Sequence, residues 1–177
     1  MVHSEFLVEF RDVHAREISR WPTSIEEVRR WAGSEPGFPV DVSVFQRWRA
    51  DPDVKPYVLC DGEAPVGYGE VWIDAAEQEV ELARIIVRPA SRSRGVGKRL
   101  VTLLLERASL SGFPDAFVRV VPENDVAIAC YRSAGFSSVS EPERERYNRG
   151  QPVDYVWMHH LLTSNGDGAL RDQLYGG

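Results

Sequence analysis

Cysteine is scarce in this chain, and so are long apolar runs. Only two cysteines, Cys60 and Cys130, occur among the 177 residues, 70 positions apart. Because this spacing is not that of metal ligands, we expect buried thiols in a reducing compartment and no metal site. No stretch reaches the roughly 18 apolar residues needed to cross a bilayer. The short apolar run near the N-terminus is broken by Glu9 and Arg11, unlike a signal peptide. The sequence predicts a cytoplasmic protein without a membrane partner.

A broad basic face is missing as well. Lys and Arg number 21 against 27 Asp and Glu, which gives a net charge of −6. The segment from Arg84 to Arg99 nevertheless holds six cations and no acid, which leaves 15 cations and 27 acids for the rest of the chain. An acidic body with one basic patch argues against nucleic-acid binding, which needs an extended positive surface. The pattern favours a site for one compact polyanion.

Length and periodicity predict one mixed, layered α/β domain over residues 1–162, followed by a polar tail over residues 163–177. Strand-like segments alternate with helix-like ones, so we expect a central, partly parallel twisted sheet with helices on both faces. The predicted strands cover residues 5–13, 56–61, 64–74, 78–89, 115–121, 136–147 and 152–162, the last two as a closing pair. The predicted helices cover residues 14–33 with a break at Pro22 and a new cap at Thr23 or Ser24, then 42–51, 94–111 and 124–135.

The fourth predicted strand changes its apolar face partway along. Val80 and Leu82 are apolar at even positions, whereas Ile85 and Val87 are apolar at odd positions. A regular strand alternates its faces strictly, so a change of parity requires one extra residue. We therefore predict a β-bulge near Ala83–Ile85, which leaves backbone groups free to bind a ligand.

The next segment, RPASRSRGVGKRLVTLLLERA, places two glycines and several cations between this strand and an amphipathic helix. A strand, a glycine turn and a helix N-terminus together form a phosphate-binding arrangement. The segment does not match a P-loop, because Arg92 replaces the first glycine and Arg99 replaces the Ser or Thr. It also fails the dinucleotide-binding pattern, because Leu100 replaces the third glycine.

A third pattern, [R/Q]-x-x-G-x-[G/A], does fit at Arg92–Gly97, although Ser93 stands where a glycine is frequent. A second motif, N-x-x-A-x-x-x-Y-x-x-x-G-F, fits NDVAIACYRSAGF over residues 124–136. With these two motifs the chain resembles the GCN5-related N-acetyltransferase (GNAT) superfamily over roughly residues 55–160. The resemblance implies the GNAT fold, acetyl-CoA as cosubstrate, and acetyl transfer to a primary amine of a small molecule or a protein.

The same resemblance implies a donor site. Backbone N–H groups from Arg94 to Lys98 would hold the CoA pyrophosphate, and nearby cations would meet its remaining charge. Residues after the bulge would line the pantetheine arm, together with Asn124 and Tyr131. The predicted donor-site residues are Ile85, Ile86, Val87, Arg92, Arg94, Gly95, Val96, Gly97, Lys98, Asn124 and Tyr131.

Catalysis by this route needs a base for the ammonium proton and an acid for the departing thiolate. By resemblance, Tyr131 is the acid. Glu81, eleven residues before Arg92, is the first candidate base; Glu70 on the adjacent strand and a water chain remain alternatives.

Other functions stay open at this stage. A catalytically silent acyl-CoA-binding regulatory module would need the glycines but neither Tyr131 nor Glu81, whereas a phosphotransferase would need the missing Walker motif. Five aromatic residues near the loop at 33–41 are candidates for an acceptor pocket or for the core: Trp21, Trp31, Phe38, Phe45 and Trp48. The net charge slightly favours a cationic acceptor. The sequence does not define the acceptor or the oligomeric state, a homodimer included.

Overall fold

The structure is a computed structural model that describes residues 5–162, so the predicted tail lies outside the described residues. Seven strands form one sheet: β1 (Glu5–Glu9), β2 (Val54–Asp61), β3 (Ala64–Asp74), β4 (Glu79–Val87), β5 (Asp115–Val120), β6 (Ser137–Ser138) and β7 (Val156–Leu161). Six helices accompany it: α1 (Asp12–Ile18), α2 (Ile25–Ala32), α3 (Ser43–Trp48), α4 (Val96–Ala108), α5 (Asp125–Ser133) and α6 (Glu141–Asn148). Short 3-10 turns cover Pro89–Ser91 and Ser109–Ser111.

The sheet is mixed, as predicted. Its strand order is β1-β2-β3-β4-β5-β7-β6, and among the described pairings only β4 and β5 run parallel. Their pairing is short: it joins Glu79–Glu81 to Asp115–Phe117 and extends no further. The two strands therefore separate beyond Glu81, and the sheet opens into a cleft between the second half of β4 and the end of β5.

Helices cover both faces of the sheet, again as predicted. On one face, α4 and α5 pack through residues such as Leu100, Leu104 and Ile128 against β-strand residues that include Val80 and Val118. On the other face, the three N-terminal helices pack over Val58, Tyr68, Ile86 and their neighbours. Side chains of successive strand residues enter opposite cores, as strand geometry requires. Both predicted layers are confirmed.

The predicted bulge is present in β4. Glu70 pairs with Ala83 and Tyr68 pairs with Ile86, so Gly69 alone opposes both Arg84 and Ile85. Arg84 has a φ of +46°, in the left-handed region that side chains rarely adopt. The indole nitrogen of Trp31 donates a hydrogen bond of 2.7 Å to the Arg84 carbonyl, which stabilises this conformation from α2. The parity change therefore located the bulge correctly.

Two predicted elements were wrong in extent or type. The first strand ends at Glu9, four residues earlier than predicted, and α1 begins at Asp12, two residues earlier than predicted. The predicted strand over 136–147 is instead a two-residue strand followed by α6. Ser140 and Glu143 form a capping box at the start of α6. This S-x-x-E signal was present in the sequence and was missed.

Within residues 5–162, no helix is long and apolar enough to cross a membrane. The same part of the chain contains no group of three or more His, Cys, Asp or Glu side chains placed to hold a metal ion.

Candidate functional site

The cleft between β4 and β5 leads into a cavity of about 320 Å³. Its inner walls are the bulged part of β4, the end of β5 and the first turns of α5. Its outer walls are the C-terminal end of α2 and the loop before β7. The lining residues are Arg29–Ser34, Trp72, Glu81–Ile85, Arg119–Val121, Asn124, Ala127, Tyr131, Gln151, Pro152 and Tyr155. Residues of the second motif line this cavity, and the glycine turn follows the end of β4, the strand that forms one of its walls.

The glycine turn follows β4 and starts α4. Gly95 is the N-cap residue of α4, with a φ of +82° that favours glycine, and no side chain caps this helix. The first α4 hydrogen bond runs from Arg99 N–H to the Gly95 carbonyl at 3.0 Å. In the described structure the N–H groups of Val96, Gly97 and Lys98 therefore have no backbone partner. Together with the positive end of the helix dipole, they form a site suited to a phosphate.

Gly97 has a second reason to lack a side chain. A Cβ atom there would lie 3.2 Å from the Sγ atom of Cys130 on α5. Since that distance is tighter than ordinary contacts, Gly97 lets α4 approach α5 closely. The sequence motif gave one reason for a glycine at position 97, the close approach of a phosphate. The contact with Cys130 is a second reason, which only the fold shows.

The cations of the turn differ in their surroundings. Arg92 is engaged within the protein: its Nε donates to the Val87 carbonyl at 3.0 Å, and its Nη2 lies 2.5 Å from Glu27 of α2. Arg94 and Lys98 are exposed and form no ion pair within the described residues. Arg92 therefore holds the end of β4 to α2, whereas Arg94 and Lys98 are available to an anion.

The three predicted pantetheine residues lie after the bulge but face different ways. Ile85 lines the cavity, whereas the side chain of Ile86 is buried in the opposite core. Val87 packs at the edge of the core beneath α4. Because β4 pairs with β5 only as far as Glu81, the cleft-side backbone of this segment has no strand partner. An extended ligand can therefore hydrogen-bond there.

Glu81 is the only carboxylate that lines the cavity in the described structure. Its side chain is 21% exposed, and its Oε1 lies 2.9 Å from Nε of Arg119 on β5. Burial raises the pKa of Glu81 to about 7, with a further increase from nearby Glu79, although the charge of Arg119 opposes the shift. A carboxyl with such a pKa can accept and release a proton near neutral pH.

Glu70 is placed differently. Its side chain is fully buried and does not line the cavity. Its oxygens accept hydrogen bonds from the Tyr68 hydroxyl, from the Trp72 indole at 2.6 Å and from Arg84 at 2.8 Å. With three donors bound, Glu70 anchors Arg84 at the bulge.

Tyr131 and Asn124 approach the cavity from α5. Tyr131 is 8% exposed, and burial raises the pKa of its phenol, so the hydroxyl stays protonated at neutral pH. Asn124 is the N-cap residue of α5, and its Oδ1 accepts from Ala127 N–H at 3.3 Å. This bond leaves the Asn124 amide group free to donate to a ligand.

The sequence did not indicate several of the residues that line the cavity. Arg119 stands in a strand whose pattern gave no functional signal, and Trp72 was assigned only to a hairpin. Gln151 and Tyr155 belong to a loop that Asn148 holds in place. The Asn148 amide donates to Asp154 at 2.6 Å and to the Tyr155 carbonyl at 2.9 Å, and its oxygen accepts from Tyr155 N–H at 3.1 Å. No spacing in the sequence indicated this arrangement.

Most of the aromatic residues considered for an acceptor pocket belong to the core, and one of them also lines the cavity. Trp21, Phe45 and Trp48 are buried in the core under the N-terminal helices, and Phe38 is 46% exposed. Trp31 belongs to that core and also lines the cavity. The core interpretation therefore holds for most of them.

The chain is similar in sequence to known acetyltransferases. A sequence model described as the acetyltransferase (GNAT) family matches residues 20–136. The N-alpha-acetyltransferase RimI of Mycobacterium tuberculosis is 33% identical over 134 residues, 75% of this chain and 80% of that protein. A mycothiol acetyltransferase of Streptomyces scabiei is 36% identical over 75 residues, 42% of this chain, and the match spans only 24% of the length of that relative.

A solved structure shares the fold. The spermidine N-acetyltransferase of Vibrio cholerae, in complex with CoA and spermine, superposes with a TM-score of 0.69 over 89% of this chain and 95% of its own, at 18% sequence identity. From the family match and the M. tuberculosis relative, the chain belongs to the acetyltransferase (GNAT) family.

Proposed function

We propose that the protein transfers an acetyl group from acetyl-CoA to a primary amine by direct attack of the amine nitrogen on the thioester. The observation that carries this proposal is the cavity between β4 and β5, which brings Glu81 and Tyr131 together beside the strand that leads into the glycine turn. Family membership supports the donor; the residues of this chain support the chemistry.

The donor binds along the cleft. The N–H groups from Arg94 to Lys98 hold the pyrophosphate, and the side chains of Arg94 and Lys98 add charge. The pantetheine arm lies along the cleft-side backbone of Ile85–Val87 in the manner of an added strand, and Asn124 donates to it from α5. Arg92 acts indirectly in this arrangement, because its guanidinium binds Val87 and Glu27.

Glu81 receives the proton of the attacking amine, directly or through one water. Its pKa of about 7 lies close to neutral pH, where a general base is most effective. Glu70 remains the second candidate, but its three hydrogen bonds leave it little capacity to accept a proton from a substrate. We therefore assign the base to Glu81 and a supporting role to Glu70.

Tyr131 assists the leaving group. As the carbon–nitrogen bond forms and the carbon–sulfur bond breaks, the phenol hydrogen-bonds to the sulfur and gives it a proton. The raised pKa keeps this proton on the phenol until the sulfur becomes negative. A backbone N–H at the bulge, close to Ile85, supports the thioester oxygen as it gains charge.

Calorimetric titration with acetyl-CoA tests the donor site, with ATP and NAD as controls. We expect saturable micromolar binding of acetyl-CoA and none of either control. Thiol release in the presence of amines then tests turnover. Binding without turnover for any amine favours the regulatory acyl-CoA-binding module, and absence of acetyl-CoA binding refutes the proposed function.

A further inference from the structure

The outer part of the cavity is rich in arginine. Four arginines line it, against the single carboxylate of Glu81. Arg29 and Arg30 come from the last turn of α2, Arg84 from the bulge and Arg119 from β5. The charge of these lining residues is therefore positive, whereas the net charge of the whole chain is −6.

Arg84 is held rigidly beside the cavity. Its guanidinium carbon lies 3.9 Å from the centre of the Trp48 ring and 4.8 Å from that of Trp72. Its Nη1 is bonded to Glu70, and its side chain is 16% exposed. The remaining guanidinium nitrogens have no partner among the described residues and are not enclosed. A guanidinium fixed by stacking and by one carboxylate can present its other N–H groups to a ligand at small entropic cost.

Arg119 is also held by contacts within the protein. Its Nε contacts Glu81 and its Nη1 donates to Gln151 at 3.3 Å, which leaves Nη2 without a partner within residues 5–162. Its guanidinium also lies within 5.6 Å of the Tyr155 ring centre. Arg119 therefore lies between the proposed base and the loop that covers the cavity.

Arg29 and Arg30 supply charge that no ion pair of the described residues holds. Glu70 offsets Arg84 and Glu81 offsets Arg119, whereas Arg29 and Arg30 form no ion pair in the described part of the chain. Neither acid of their own helix lines the cavity: a backbone hydrogen bond and, in part, the charges of Arg29 and Arg30 lower the pKa of the fully exposed Glu26, and Glu27 pairs with Arg92. The outer cavity is therefore net positive.

We propose that the acceptor is an amine that bears an anionic group, a carboxylate or a phosphate, near its reactive nitrogen. The free N–H groups of Arg84 and Arg119 bind the anion, Arg29 and Arg30 attract it, and the amine then faces Glu81. This inference rests on the proposed acetyl transfer. It also separates this chain from the V. cholerae enzyme, whose structure holds the polycation spermine, because a polyamine here would meet like charges.

Matched pairs of amines test the inference. The panel contains β-alanine and its amide, glycylglycine and its amide, O-phosphoethanolamine and ethanolamine, and spermidine. At saturating acetyl-CoA we expect a kcat/KM at least about tenfold higher for the anionic member of a pair, from the strength of charge-assisted guanidinium bonds. The carboxylate and phosphate pairs show which anion the site takes.

The double variant Arg29→Gln/Arg30→Gln locates the effect. We expect it to lower kcat/KM for the preferred anionic amine about 3- to 10-fold, as loss of two partly exposed charges should. The KM for acetyl-CoA should not change, and the rate with the neutral member should fall by a smaller factor than the rate with the anionic member. Arg16→Gln/Arg20→Gln, which alters two exposed arginines of the neighbouring segment that do not line the cavity, is the matched control.

The failures are distinguishable. A protein that does not bind acetyl-CoA refutes the proposed function. If acetyl-CoA binds, the inference alone is overturned by preference for neutral amines or spermidine, by no acetylation of any panel member, or by an anionic preference that Arg29→Gln/Arg30→Gln leaves unchanged.

Discussion

Replacing Glu81 by Gln should change both the stability and the pH profile of the protein in a calculable way. Burial raises the pKa of Glu81 from 4.5 to about 7, so the folded protein holds a proton there that the unfolded chain releases. Between these two pH values the folded state loses stability as pH rises, by about 3 kcal/mol at 1.36 kcal/mol per pKa unit. This contribution is fully favourable below pH 4.5 and is lost above pH 7.

The Glu81→Gln variant removes this titration. Relative to wild type, the free energy of unfolding of the variant should increase by about 3 kcal/mol between pH 4.5 and pH 8. Compared with wild type, the variant is thus more stable at the higher pH than at the lower one. Urea unfolding at a series of pH values measures it. Glu79→Gln is the matched control: burial also raises the pKa of Glu79, which lies two residues earlier on β4 but does not line the cavity.

The same variant tests catalysis. In wild type, kcat/KM for the amine should rise with pH through an apparent pKa of about 7 as Glu81 loses its proton. In Glu81→Gln this rise with pH should be absent, and the rate should fall about 10²- to 10⁴-fold. Glu79→Gln should keep both the rise with pH and the rate of wild type. A limb near pH 7 that persists in Glu81→Gln, or a relative stability that does not change with pH, would refute the reasoning.

Four further substitutions address the acid and the glycine turn. Tyr131→Phe should lower kcat about 10²- to 10⁴-fold with the acetyl-CoA Kd nearly unchanged, measured by thiol release and calorimetry. Gly97→Val should reduce stability by about 1–3 kcal/mol through overpacking against Cys130 and should weaken acetyl-CoA binding, and Cys130→Ala should restore stability but not binding. Gly95→Ala should cost about 1–2 kcal/mol because its φ of +82° strains any side chain, measured by denaturant unfolding.

Each has a result that would contradict it. An unchanged kcat in Tyr131→Phe across pH would remove the acid role. Equal effects of Gly97→Val with and without Cys130→Ala would show that the contact between α4 and α5 is not the constraint. A Gly95→Ala variant as stable as wild type would mean that the turn relaxes without cost.

The sequence located the elements around the predicted donor site well, because their requirements are local. A change of parity in one strand predicted the bulge at Arg84, and glycine spacing predicted the phosphate turn. The capped helix at Asn124 placed Tyr131. Such features depend on residues within a few positions of one another, so their pattern survives in a single sequence.

Distant partners escaped prediction. The closing strand over 136–147 was wrong because the capping box at Ser140 was overlooked. The surroundings of Glu70 and Glu81 depend on residues far along the chain, since Arg84 reaches the former and Arg119 the latter. The sequence ranked Glu81 ahead of Glu70 as the candidate base but did not show that the fold buries Glu70 under three donors and places Glu81 in the cavity.

By itself, the sequence determined the mixed fold, the bulge and the glycine turn that starts α4, since each follows from local conformational preferences. Only the tertiary structure decided the charge of the cavity. The net charge of −6 slightly favoured a cationic acceptor, but the cavity collects four arginines from α2, β4 and β5. The charge of a cavity depends on which side chains the packing brings together, and that sum is independent of the charge of the whole chain.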